Sequence, residues 1–171
     1  ALGLTSHSYT VFDGSYCMTK EGTKAYIAEV RALQEKYKEQ IKIYLGVEQD
    51  FYSEDSTAPY DYAIGSVHYV KKDGVYLSID DSKQTQQGFV AKYYDGDWYA
   101  FAEDYFATVA QVYEKTGCQI IAHFDLLTKF NSKGDLFDTK HPRYLAAAEK
   151  ALEVLLKSQK TLNIKLILRG L

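Results

Sequence analysis

The chain holds four histidines, and three of them, His7, His68 and His123, stand where a short apolar run gives way to polar residues. Glu48 closes another such run, Ile41-Lys42-Ile43-Tyr44-Leu45-Gly46-Val47. Imidazole and carboxylate groups hold Zn, Mn or Fe without any sulfur ligand, so four such groups brought to one place would form a metal centre. Asp50 and Asp125 follow Glu48 and His123 by two residues and can orient those ligands as hydrogen-bonded neighbours, although a turn or capping role uses the same side chains. Asp13-Gly14 reads as a plain turn or as part of a loop that closes over the site. His141, beside Pro142 at a helix start, reads as structural or surface. Cys17 and Cys118 are too few and too far apart for a disulfide framework or a zinc knuckle, and read as ordinary buried thiols of a reducing compartment.

For these side chains to meet, they must sit at the ends of elements that run the same way. Short apolar runs alternate with helical periodicity, the pattern of parallel strands joined by crossover helices. Ala1–Thr5 reads as a first strand. Glu21–Tyr37 reads as a helix with Tyr26, Ile27, Val30, Leu33 and Tyr37 on one stripe, and Ile41–Val47 as a second strand. Tyr62–Val67 is a third strand, and the Asp73-Gly74 pair between Tyr69-Val70 and Val75-Tyr76-Leu77 predicts a hairpin excursion. Helices are expected over Ser82–Tyr93 and over Asp97–Lys115, the latter closed by Gly117. Cys118–Ala122 gives a fourth strand, Pro142 opens a helix to about Ser158, and Leu162–Leu168 gives a fifth strand. The carboxyl ends of parallel strands converge on one face of a sheet or barrel, which gathers His7, Glu48, His68 and His123 into a common volume.

The composition narrows the rest. The chain has 171 residues, 46% of them hydrophobic and 15% aromatic, and a net charge of −3, which describes one globular domain over residues 1–171. A chain of this length buries roughly 70% of the surface its unfolded form exposes, so a metal would be functional rather than a folding staple. The acidic balance argues against nucleic acid, and the sixteen tyrosines are spread over helix faces and strands, as expected for core and rim packing. No apolar run approaches the ~20 residues of a membrane span, so no membrane partner is expected and the cytoplasm is the default address. GxxxxGK[ST], GxGxxG and GxSxG are all absent. The lack of an initiator Met, with a strand from the first residue, suggests that the chain starts inside a fold.

At the same strand ends the sequence resembles the polymerase and histidinol phosphatase (PHP) family, in its histidinol-phosphate phosphatase branch. The resembling stretches are Gly3–Gly14 (GLTSHSYTVFDG), Tyr44–Ser53 (YLGVEQDFYS), Tyr60–Val70 (YDYAIGSVHYV) and Ile120–Asn131 (IIAHFDLLTKFN), in this order. The resemblance implies an α/β fold, a partial (β/α)7 barrel, with a site of up to three divalent ions that hydrolyses phosphate monoesters, L-histidinol phosphate in this branch. It implies Glu48 as a carboxylate bridging two metals, His68 and His123 as ligands of one of that pair, and His7 as a ligand of the third. Glu48 and His68 would be the catalytic residues, and Arg169 would grip the substrate phosphate. The family's opening His-x-His strand and closing Asp-x-His strand have no counterpart here, so the first strand-helix unit and the C-terminal part are missing from the pattern. Glu48, His68 and His123 suffice for one ion with a position left for water. An inactive barrel fragment or metal-binding module that self-associates through its open strand edges is the alternative expectation.

Overall fold

The structure, a computed structural model, describes residues 1–162 and 165–166. Its elements in chain order are β1 (Leu2–Leu4), α1 (Lys20–Tyr37), β2 (Ile43–Asp50), β3 (Tyr62–Ser66), β4 (Tyr69–Lys72), β5 (Val75–Ser78), α2 (Lys83–Tyr93), α3 (Trp98–Val109), α4 (Val112–Thr116), β6 (Ile120–Ile121), a 3-10 turn at Leu126–Thr128, α5 (Pro142–Leu162) and β7 (Lys165–Leu166). The main sheet has the order β1-β2-β3-β6-β7 with every neighbouring pair parallel, the α/β arrangement of a partial barrel. β4 and β5 pair antiparallel as a separate hairpin turned at Asp73-Gly74, both at positive φ.

Alternation along β2 sorts the two faces of the sheet. Ile43 and Leu45 are buried against the α1 stripe of Tyr26, Ile27, Val30, Leu33 and Tyr37, while Val47 joins the larger core of Ala63, Leu77, Ile79, Phe101, Tyr105 and Phe106. Thr19 starts α1 by accepting the Gly22 N–H at 2.9 Å, and Asp97 starts α3 by accepting from Tyr99 and Ala100. The opposite face of β2 carries Tyr44, Gly46, Glu48 and Asp50. Gly46 leaves this face open for the ring of Tyr62 from β3, whose hydroxyl bonds the Thr5 hydroxyl and lies 3.4 Å from the Leu4 carbonyl oxygen.

Several boundaries differ from expectation. β2, expected over Ile41–Val47, starts at Ile43 and runs on to Asp50, so Glu48 lies within the strand. The helix predicted over Asp97–Lys115 is two helices, α3 and α4, because after Val109 the chain turns to lay Val112 and Thr116 against β3, where Gly65 has no side chain to obstruct Thr116 and Cys118. Gly117, at φ 64, ends α4 in the left-handed conformation. The fourth strand shrinks to Ile120–Ile121, with Gln119 N–H to Ala63 O and Ala122 N–H to Gly65 O extending its ladder. α5 runs on to Leu162, so of the strand predicted over Leu162–Leu168 only Lys165–Leu166 is seen as strand, and Asn163, Ile164, Ile167 and Leu168 lie outside the described residues. Cys118 is buried as expected, but Cys17 is only half-buried; both are free thiols.

Candidate metal centre

Strand register brings the four candidate ligands together. β1 pairs with β2 as Leu2↔Ile43 to Leu4↔Leu45, and the same register resumes beyond β1 at an isolated His7↔Glu48 bridge. Ser8 N–H donates to Glu48 O at 2.9 Å, and Glu48 N–H to Ser6 O at 2.9 Å. Glu48 is in turn paired with Ile64 of β3, and Ile64 with Ile120 of β6. His68 and His123 each follow the last residue of their strand, Ser66 and Ile121, by two positions. The four residues therefore lie toward the carboxyl ends of four adjacent parallel strands, Glu48 within β2 two residues before its end and the three histidines just beyond β1, β3 and β6.

The carboxylate sits among the imidazoles. Glu48 Oε1 lies 3.3 Å from His68 Nε2 and 3.4 Å from His123 Nε2, and Oε2 lies 3.8 Å from His7 Nδ1. The His68 ring centroid is 5.3 Å from that of His7 and 4.9 Å from that of His123. Burial alone would raise the Glu48 pKa, but hydrogen bonds from His123 and His68 and the charges of His68 and His7 outweigh it and hold the carboxyl far below its ordinary range. Burial likewise opposes protonation of His68, yet its bonds and charge interactions with Asp50 and Glu48 push its pKa up to about 9.

The donor set fits a divalent cation. One ligand atom each from His7, Glu48 and His68 lies within 4.8 Å of the others, and the ring nitrogens His7 Nδ1 and His123 Nδ1 are buried without a hydrogen-bond partner. Of these, His7 Nδ1 lies beside the ionised Glu48 carboxylate, where a metal would satisfy it, whereas His123 turns Nε2 and not Nδ1 toward Glu48.

Asp50 holds His68 in place. Its side chain is 2% exposed; Oδ2 accepts the His68 backbone N–H at 3.2 Å and lies 3.2 Å from the ring Nδ1, while Oδ1 accepts the Tyr52 N–H at 2.8 Å. Nδ1 is thereby occupied and Nε2 faces Glu48. Asp125 does not do the same for His123: its backbone carbonyl and Oδ2 accept from the Thr128 hydroxyl, bracing the 3-10 turn, and its Oδ1 has no partner. His141 stacks on Tyr99 at 3.7 Å and accepts the Arg143 N–H, a structural place outside the cluster. Arg169 lies outside the described residues.

Sequence reasoning missed the aromatic surroundings. The Tyr16 ring stands 5.3 Å from His7 and 5.8 Å from His68. Tyr69 donates to Asp13 Oδ2 at 2.6 Å, and Phe12 stacks on Tyr76 at 3.8 Å, which ties the loop after β1 to the β4–β5 hairpin. Asp13 was in view, its pair with Gly14 reading as a turn or as part of a loop over the site; for Phe12 and Tyr16 the signal was position, since they share that post-strand loop with His7. A pocket of about 890 Å³ opens beside His7 and His68 under this bridge.

A parallel α/β sheet with imidazoles around a carboxylate toward its strand carboxyl ends belongs to the class of α/β barrels, whose active sites lie at that face. The PHP domain family matches residues 1–165, and the chain belongs to that family. It is 31% identical over 127 residues to a Deinococcus radiodurans protein named "Probable histidinol-phosphatase", an alignment that covers 70% of this chain and 45% of that protein. The chain thus matches about half the length of that relative. The crystal structure of a Listeria monocytogenes protein described as a "putative histidinol phosphatase" superposes with a TM-score of 0.71 and 17% identity, over 92% of this chain and 67% of that one, a likeness of fold.

Proposed function

We propose that this chain, as a single domain over residues 1–171, carries the site of a metal-dependent phosphate monoester hydrolase whose substrate is L-histidinol phosphate, an enzyme of histidine biosynthesis in the cytoplasm. The observation that supports it most directly is Glu48, its two oxygens 3.3–3.8 Å from nitrogens of His68, His123 and His7. In this reading those four residues hold Zn, Mn or Fe. Such an ion, when bound, lowers the pKa of a coordinated water toward about 7 and offsets charge on the phosphoryl oxygens. Glu48 contributes the negative charge that retains the cation. His68, locked through Nδ1 by Asp50, presents Nε2 in one orientation, and His7 through Nδ1 and His123 through Nε2 face the same carboxylate. Arg169 would neutralise the phosphate's outer oxygens.

The test is elemental analysis of the purified protein with phosphate release from L-histidinol phosphate and size-exclusion chromatography on the same sample. At least one divalent ion per chain, with turnover, both lost in Glu48→Gln, is the expected result. Absence of bound metal at saturating Zn²⁺ and Mn²⁺ would overturn the reading and leave the four residues as remnants in a module that self-associates.

A further inference from the structure

The pocket beside His7 and His68 has a wall that phosphate chemistry does not explain. At about 890 Å³ it is large enough for a drug-sized ligand, and far larger than a phosphate group needs. Beyond the two histidines its lining includes three carboxylates, Asp13, Asp80 and Asp81, interleaved with aromatic residues, and no lysine or arginine is among the described lining residues. A dianionic ester would be repelled by such a wall unless its other end carried compensating positive charge.

The three carboxylates differ in what already meets them. Asp80 receives the Lys129 ammonium, at 2.9 Å to its carbonyl oxygen and 3.4 Å to Oδ2, so its charge is largely answered. Asp81 accepts only the Thr85 hydroxyl, at 2.6 Å, and no cation is bonded to it among the described residues. Asp13 is fixed by Ser15 N–H and hydroxyl on Oδ1 and by the Tyr69 hydroxyl on Oδ2, all neutral donors, and these bonds hold its pKa below the ordinary carboxylate value. A carboxylate oxygen accepts more than one hydrogen bond, so both residues keep capacity for an N⁺–H donor. The Phe12–Tyr76 stack holds the Asp13 loop against the hairpin; Lys71 lies 4.8 Å from the Tyr76 ring and thus occupies that ring rather than either carboxylate. Phe89, on the first helix after the hairpin, completes the apolar part.

We infer that Asp81 and Asp13 are specificity-determining residues that take a protonated nitrogen on the alcohol portion of the ester, with Phe12, Tyr16 and Phe89 covering its apolar or ring carbon. The assignment rests on the phosphatase reading above and deepens it. The site then selects phosphate esters of cationic amino alcohols over neutral alkyl or sugar phosphates, because one end of the substrate is drawn to the cation-holding histidines and glutamate and the other to the acidic wall.

The test compares Mn²⁺-loaded wild type, Asp81→Asn, Asp13→Asn and a control, Glu35→Gln on the far side of α1. The readouts are kcat/KM for L-histidinol phosphate and propyl phosphate, and calorimetric binding of phosphate-free L-histidinol. Expected are a wild-type preference for the aminated ester, a fall of about tenfold or more in that preference and in L-histidinol affinity for Asp81→Asn, and no change in the control. Asp81 is exposed, so its variant folds even where Asp13→Asn weakens the loop. If both esters turn over and Asp81→Asn leaves the preference and L-histidinol affinity unaltered, the subsite is overturned and the phosphatase reading stands. If no ester turns over but L-histidinol binding falls in the variant, the subsite stands and the phosphatase reading fails. Absence of L-histidinol binding to the wild type overturns the subsite.

Discussion

Gly46→Ala is the sharpest probe of how the sheet carries the site. A Cβ at position 46 would fall on Tyr62 Cζ and within 2.6 Å of both Cε atoms, where ordinary contact needs 3.4 Å or more. The ring cannot retreat freely, because its hydroxyl is bonded to Thr5 and reaches the Leu4 carbonyl. Overpacking of this kind costs about 1–3 kcal/mol, and displacing the hydroxyl forfeits about 1 kcal/mol for each hydrogen bond lost, so a total of about 2–4 kcal/mol is expected. For a chain of this size that lowers Tm by roughly 5–15 °C. Urea unfolding followed by circular dichroism measures it. The Tyr62→Ala background supplies the internal control, since without the ring the same substitution should cost less than about 1 kcal/mol. Gly46 and Glu48 share one face of β2, so the single variant should also weaken metal binding. A Gly46→Ala protein within about 0.5 kcal/mol of wild type, or an equal cost in both backgrounds, would refute the argument that the ring fills the space of the missing side chain.

Other outcomes follow from the same geometry. Asp50→Asn removes the acceptor facing His68 Nδ1 and should weaken Zn²⁺ or Mn²⁺ binding about 10–100-fold by calorimetry; unchanged affinity would mean that His68 needs no such brace. Tyr105→Phe deletes a buried hydroxyl that donates to His123 O at 3.3 Å and accepts the Leu126 N–H at 3.2 Å. The expected loss is about 1–2 kcal/mol in urea unfolding, limited because Leu126 N–H also reaches His123 O. Asp61 binds the Leu45 N–H at 2.8 Å, Gln34 at 2.7 Å and Arg31 at 2.7 Å; burial opposes ionisation, but these bonds outweigh it and lower the pKa. Because the folded pKa is depressed, this stability is fully present above the unfolded value of 3.8 and is lost as pH falls through the folded value. Asp61→Asn should therefore flatten the acid limb of stability below about pH 4, and an unchanged limb would exclude this carboxylate as its source.

What the sequence determined by itself is local. The 3.6-residue stripe from Tyr26 to Tyr37, the Asp73-Gly74 turn and the Gly117 stop follow from side-chain periodicity and backbone sterics, and each stands as read. Placement of His7, Glu48, His68 and His123 after apolar runs was equally legible, because parallel strands put such residues at one end of a sheet. Distance was not. The register that sets His7 opposite Glu48 is a pairing between segments about forty residues apart, and nothing in either segment states it. Tertiary packing decided that Asp50 grips His68 while Asp125, at the same spacing from His123, braces a turn instead. It also split the long helix at Ala110 so that α4 could cover β3, and folded Phe12 and Asp13 onto a hairpin more than fifty residues away. Periodicity reports which face a residue occupies, whereas a site depends on which faces meet, and only the three-dimensional pairing of strands settles that.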